Sequence, residues 1–173
     1  MSVWDTCADG TLVGVMPSEE ITCLRSYATG YVQLAEYGLR SCSWVEGHTV
    51  DSGRLFPGAA ILDERIMAIV RANVPAESPD WEIALLAPDC LLEGIEAAER
   101  VRRTLPEHDS VVVLTAPEDF HAWSRLIGDV LAAIVPYAAG SSARTRQRAA
   151  ETEDWLRSLR EVVMPSAAAW GAR

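Results

Sequence analysis

The chain reads as an α+β fold, predominantly helical, with a small antiparallel sheet made of an N-terminal hairpin and one later strand. Three observations predict it. An Asp-Gly pair, Asp9-Gly10, separates two short strand-like runs near the start. One later β-branched run, Ser110-Val111-Val112-Val113-Leu114, is bounded by Pro106 and Pro117. The other periodic segments repeat their apolar residues at three- and four-residue steps, the signature of helices with one buried face. Strands and helices in that order make an α+β arrangement.

Taken in order, residues 2–16 form the hairpin: Val3-Trp4-Asp5-Thr6 and Thr11-Leu12-Val13-Gly14-Val15 flank Ala8-Asp9-Gly10, where glycine tolerates the positive φ of a tight turn. Pro17 keeps Met16 extended, Ser18 caps a helix, and Glu19 and Glu20 complement its positive end. Ile21, Leu24, Ala28, Tyr31, Ala35 and Gly38 form its buried stripe, and Gly38 marks its end. Residues 40–60 have no period and are punctuated by Gly47, Gly53 and Gly58, which predicts a long loop that Cys42 enters. Leu62, Ile66, Ile69 and Val70 line a short helix that ends before Pro75. Ser78 caps the next, with Pro79 at its first position. Pro88 makes residues 89–105 either a new helix or a continuation through a kink.

The run 110–114 joins the hairpin, because a lone hairpin is marginal in water. Pro117-Glu118-Asp119 opens a helix with the stripe Phe120, Trp123, Ile127, Val130, Leu131 and Ile134. Residues 138–142 are a linker, and a last helix over about 143–163 buries Trp155, Leu156, Leu159 and Val163. Residues 164–173 are expected to fray.

Composition narrows the function. With 173 residues and 49% hydrophobic content the chain can bury one sizeable core. No apolar run approaches the roughly 20 residues of a membrane span, and the start has no basic region typical of a signal peptide, so a cytoplasmic location is expected. The net charge is −10, which opposes a broad nucleic-acid surface because such surfaces displace phosphate counterions with Lys and Arg. All 15 basic residues are Arg, and Asn73 is the single Asn, a bias of GC-rich genomes. The cluster Arg144, Arg146 and Arg148 keeps a local DNA or partner contact open against the plainer reading of a solvated helix face.

Residues with chemistry are few. Glu19-Glu20 and Glu118-Asp119 fall in first helical turns, where the helix dipole accounts for them, and Glu153-Asp154 is a third pair of adjacent carboxylates. There is no Gly-x-Ser-x-Gly elbow and no phosphate-cradling glycine loop, so no enzyme site and no cofactor are expected. The three His and four Cys lack zinc-ligand spacing, and no metal is expected. Cys7 sits near the hairpin turn, Cys23 slightly off the apolar face of its helix, and Cys90 in what reads as a first helical turn. There a helix dipole lowers a thiol pKa, while Asp89 beside it pushes the other way. Four cysteines allow three complete pairings, and four free thiols are the default in a reducing compartment.

Four segments together resemble the actinobacterial oxidative stress regulators (AosR-type), a family first known as a domain of unknown function. They are Asp9-Gly10-Thr11-Leu12-Val13-Gly14-Val15-Met16-Pro17-Ser18-Glu19-Glu20; Arg54-Leu55-Phe56-Pro57-Gly58; Leu91-Leu92-Glu93-Gly94 through Leu105-Pro106; and Val112-Val113-Leu114 followed by Ala122-Trp123-Ser124-Arg125-Leu126-Ile127-Gly128-Asp129. They span roughly residues 3–135 in the family's order. The family's Asn-Asp-Leu-Arg continuation reads Gly128-Asp129-Val130-Leu131 here, and the helix from Arg144 to Val163 lies beyond the similar region.

The resemblance implies one AosR-like α+β domain over residues 1–137, and beyond it a helical extension and flexible tail over 138–173 are expected to pack on that domain. It implies a redox-sensing protein whose cysteines oxidise to a disulfide. Such a protein acts on transcription with a stress-responsive sigma factor. The family's redox cysteines do not map one by one onto this chain, so Cys7, Cys23, Cys42 and Cys90 all remain candidates. An acidic surface suits a protein partner better than DNA. The alternative is a structural or adaptor protein, with homodimerisation open, whose cysteines are inert buried hydrophobes.

Overall fold

Strands β1 (Val3–Thr6), β2 (Leu12–Val15) and β3 (Val111–Leu114) form one antiparallel sheet in the order β1-β2-β3. The computed structural model describes residues 2–43, 63–139 and 141–171, except the side chains of 42, 43 and 165–171. The hairpin closes as its sequence predicts: Gly10 has φ 87°, Cys7 N–H donates to the Thr11 carbonyl, and Thr11 N–H donates to Asp9 Oδ1. β3 extends the hairpin, with Val15 opposite Val111 and Leu12 opposite Leu114. Its inward residues, Val112 and Leu114, are fully buried.

Five helices complete the described residues: α1 (Ser18–Ser43), α2 (Glu64–Ala72), α3 (Asp80–Thr104), α4 (Pro117–Ala138) and α5 (Ala143–Gly171). The fold is thus predominantly helical α+β, with one small antiparallel sheet. The α1 stripe is buried as its period requires, from Ile21 through Ala35. α3 packs between α1 and α4, α2 packs on α4, and α5 lies along α4. Trp123 of α4 is fully buried at the centre, and Trp4 of β1 meets it edge to face with ring centroids 6.0 Å apart. Trp4 lies over Gly14 on the neighbouring strand, where a Cβ would come within 2.3 Å of its ring. Glycine at that position lets the indole bridge sheet and helices. Among the described residues, no helix is long and apolar enough to cross a membrane.

Three boundaries differ from the sequence reading, and the alternative left open at Pro88 is decided. α1 does not stop at Gly38 but runs to Ser43, so Cys42 is in its last turn and not in a loop. Gly38 is there for close approach: a Cβ would lie 2.9 Å from Leu91 and 3.1 Å from Ile66. α3 passes through Pro88 as one helix. Proline removes only the bond to the Ala84 carbonyl, and Ile83, Ala87, Cys90, Leu91 and Gly94 keep one continuous buried face across it. α3 also starts one residue later than Ser78 capping would give. Pro79 is its N-cap, with no side-chain cap hydrogen bond, and the Ser78 N–H closes the preceding turn to the Pro75 carbonyl. The α5 backbone stays helical past Val163 to Gly171, as the strong helix formers Ala167, Ala168 and Ala169 favour. The expected loop over 44–60, the Arg54-to-Gly58 motif and Leu62 lie outside the described residues.

Candidate functional site

The most concentrated polar chemistry among the described residues lies where α1, α2, α3 and α4 meet. Asp129 of α4 is 1% exposed and sits on an otherwise apolar helix face. A buried carboxylate is stable only if its oxygens are satisfied. Three donors from three helices' sequence do so: Tyr31 Oη donates to Oδ2 at 2.9 Å, Asn73 Nδ2 to Oδ1 at 2.7 Å, and Arg125 Nε to Oδ2 at 2.9 Å. Arg125 is one turn before Asp129 on α4, so helical geometry brings the pair together. Asn73 caps α2 and also donates to the Ile69 carbonyl at 2.8 Å.

Arg125 carries the network into α3. Its Nη2 donates to the Cys90 carbonyl at 2.8 Å and contacts Cys90 Sγ at 3.1 Å, while Nη1 reaches Glu93 Oε2 at 3.3 Å. Gly94, the next α3 residue on that face, leaves room for the phenol: a Cβ there would be 1.8 Å from Tyr31 Oη. The Leu91-Leu92-Glu93-Gly94 segment and the Arg125-to-Asp129 segment therefore meet at one point.

Electrostatics follow from burial. Desolvation pushes the Asp129 carboxyl above the usual range, opposed by Arg125, Asn73 and Tyr31. Burial, helped by the Asp129 charge, pushes the Tyr31 phenol up as well, so it stays a protonated donor. For Arg125, burial lowers the pKa but the Asp129 charge and hydrogen bond more than restore it. Burial raises the Cys90 thiol, with Arg125 pulling the other way.

The dipole reading of Cys90 is corrected by this environment. Because α3 continues through Pro88, Cys90 lies mid-helix, away from the helix N-terminus, and burial holds its thiol protonated. Cys7 is exposed beside the hairpin turn and Cys23 is exposed on α1; with Cys90 these are free thiols. The Cys42 side chain lies outside the described residues. Arg144 and Arg148 share one side of α5, one turn apart, whereas Arg146 points roughly 200° away by helical geometry. Arg146 instead donates to the Ser141 carbonyl, and Arg148 lines a cavity of about 220 Å³ with Tyr27, Thr145 and Thr152. The Arg trio is therefore not one cationic face.

Glu118-Asp119 behaves as its first-turn position suggests. Asp119 accepts from the Ala116 N–H at 3.3 Å and from Arg100 Nε at 2.7 Å. No group of three His, Cys, Asp or Glu is placed to hold a metal ion among the described residues.

Sequence reasoning missed Tyr31, Asn73, Arg125 and Asp129 as a unit. Two signals pointed there: a carboxylate on the apolar stripe of α4, and the single Asn at the end of α2. Against known proteins, no family model, no curated protein and no solved structure matches the chain.

Proposed function

We propose that this protein is a redox-responsive regulator that acts through protein–protein contact and has no catalytic turnover of its own. The observation that supports it is the contact between Cys90 Sγ and Arg125 Nη2 at 3.1 Å, since that guanidinium also holds Asp129 at the junction of the helices. A thiol placed there couples sulfur chemistry to helix packing. Oxidation of two cysteines by a peroxide forms one S–S bond, with both thiol protons and the peroxide oxygens leaving as two waters. Exposed Cys7 and Cys23 are the accessible entry points, and Cys90 and Cys42 complete the candidate set. Disulfide formation, or sulfenic acid formation at Cys90, would compete for Arg125 and shift α3 against α4. The AosR resemblance supplies the wider setting: cytoplasmic transcription control, with a stress sigma factor as the protein partner and direct DNA contact by Arg144, Arg146 and Arg148 the weaker reading.

The test is free-thiol counting by mass spectrometry before and after mild peroxide, with peptide mapping of any bridge. A reversible disulfide between two of the four cysteines is the expected result. Four thiols that react only after unfolding would sink the switch.

A second reading has its own support. Burial raises the Cys90 thiol and so disfavours the reactive thiolate. On that reading the protein is an adaptor, and Cys90 is a small buried hydrophobe with a packing role.

A further inference from the structure

The outer face of α3 has an organisation the core does not need. Leu85 is 70% exposed and Leu92 49% exposed, with Pro88 half-buried between them. The spacing 85, 88, 92 takes a step of three and then of four, which is the a/d seam of a helix that packs against another helix. On one flank stand Glu82, Asp89 and Glu96, each seven residues from the next. In heptad terms they are three successive e positions, so their carboxylates form a ladder beside the seam. None of the three is in an ion pair among the described residues, although Asp80, Glu93 and Glu99 on the same helix each pair with an Arg. The opposite flank, Ala84, Leu91 and Ala98, turns toward the protein's own core at the last two positions.

We infer that this face of α3 docks a partner's amphipathic helix, one with an apolar heptad stripe flanked by Arg or Lys. The inference rests on the interaction reading above and names the chemistry of the partner. The apolar stripe selects a helix, and the acidic ladder selects its charge. A second copy of α3 fits poorly. Laid antiparallel it sets ladder against ladder, and laid parallel it sets the carboxylates against Ala84, Leu91 and Ala98, which carry no charge. The outer face of the sheet, with Val3, Val15, Val111 and Val113 exposed, is a rival apolar surface but has no such ladder to specify an occupant.

The test uses the full chain with all thiols kept reduced, so its outcome is independent of any redox switch. The probe is a fluorescent three-heptad peptide with Leu at a and d and Arg at e and g, used below its own association concentration. The control peptide carries Glu at e and g. Anisotropy titrations are expected to show the Arg peptide binding at least tenfold more tightly than the Glu peptide. Leu85→Asp should weaken it about tenfold. The triple variant Glu82→Arg, Asp89→Arg, Glu96→Arg should reverse the preference between peptides. Circular dichroism checks each variant's fold; if the charge-reversed chain unfolds, Glu82→Gln, Asp89→Asn, Glu96→Gln replaces it and should abolish the preference. Equal binding of both peptides, no binding, or amide shifts confined to the valine face would overturn the inference. So would a concentration-dependent dimer that Leu85→Asp dissolves, which would assign the face to a second copy. A positive result with unreactive thiols would keep the docking face and remove only the switch.

Discussion

The two faces of α3 follow opposite rules. Its inner face places Cys90 and Gly94 against Arg125 and Tyr31, where the guanidinium bonds the Cys90 carbonyl and sulfur and a methyl group at Gly94 has no room. Its outer face places Leu85 and Leu92 in solvent beside three uncommitted carboxylates. Changes on the inner face act on stability and travel between helices. Changes on the outer face leave the fold alone and act on whatever binds there. One helix thus separates the side that holds the molecule's shape from the side proposed above to dock a partner helix.

The largest effect expected is at the network's hub. Asp129→Ala removes the acceptor for three donors and strands the partly buried Arg125 charge, costing about 3–5 kcal/mol in urea or thermal unfolding. A cost below about 1 kcal/mol would mean that the network does not bind the helices together. Gly94→Ala comes next, because the added methyl drives Tyr31 off Asp129; overpacking of this kind costs about 1–3 kcal/mol. Gly30→Ala is its control on α1: nothing lies within 4 Å of the new Cβ, so the better helix propensity should stabilise by up to about 1 kcal/mol.

Cys90 sharpens the contrast through pH. Its folded-state pKa lies above the ordinary value of 9.0, so the native state keeps the proton longer than the unfolded chain does. Relative to Cys90→Ala, the wild-type chain should therefore lose stability as pH rises from about 9 through the folded value, read by denaturant titration. At neutral pH an alkylating reagent should label Cys7 and Cys23 well before Cys90; equal rates would place the thiol in solvent. The smallest effect belongs to the outer face. Leu85→Ser should shift stability by no more than about 0.5 kcal/mol, since an exposed leucine contributes little to folding.

Much of the fold was legible along the chain. The hairpin, the single later strand and the stripes of α1, α2 and α4 are local patterns, and each is written within a few turns of backbone. Gly38 and Pro88 are places where packing decides a local outcome. Gly38 looked like a helix stop, but Leu91 and Ile66 need it small inside a continuing helix. Pro88 looked like a possible break, but a buried face running across it holds α3 together. The reading of Cys90 failed for the same reason, because its helix begins at Asp80, nine residues earlier than a break at Pro88 would allow.

By itself the sequence determined where helices and strands form, which of their faces are apolar, and the seven-residue ladder of Glu82, Asp89 and Glu96, because all of these are periodic. Only the tertiary structure decided which polar groups meet. Tyr31 reaches Asp129 across 98 positions, Asn73 across 56, and Arg125 reaches Cys90 across 35. No local period encodes such pairs. They exist because burying one carboxylate among packed helices requires donors, and packing brings those donors from separate elements of the chain.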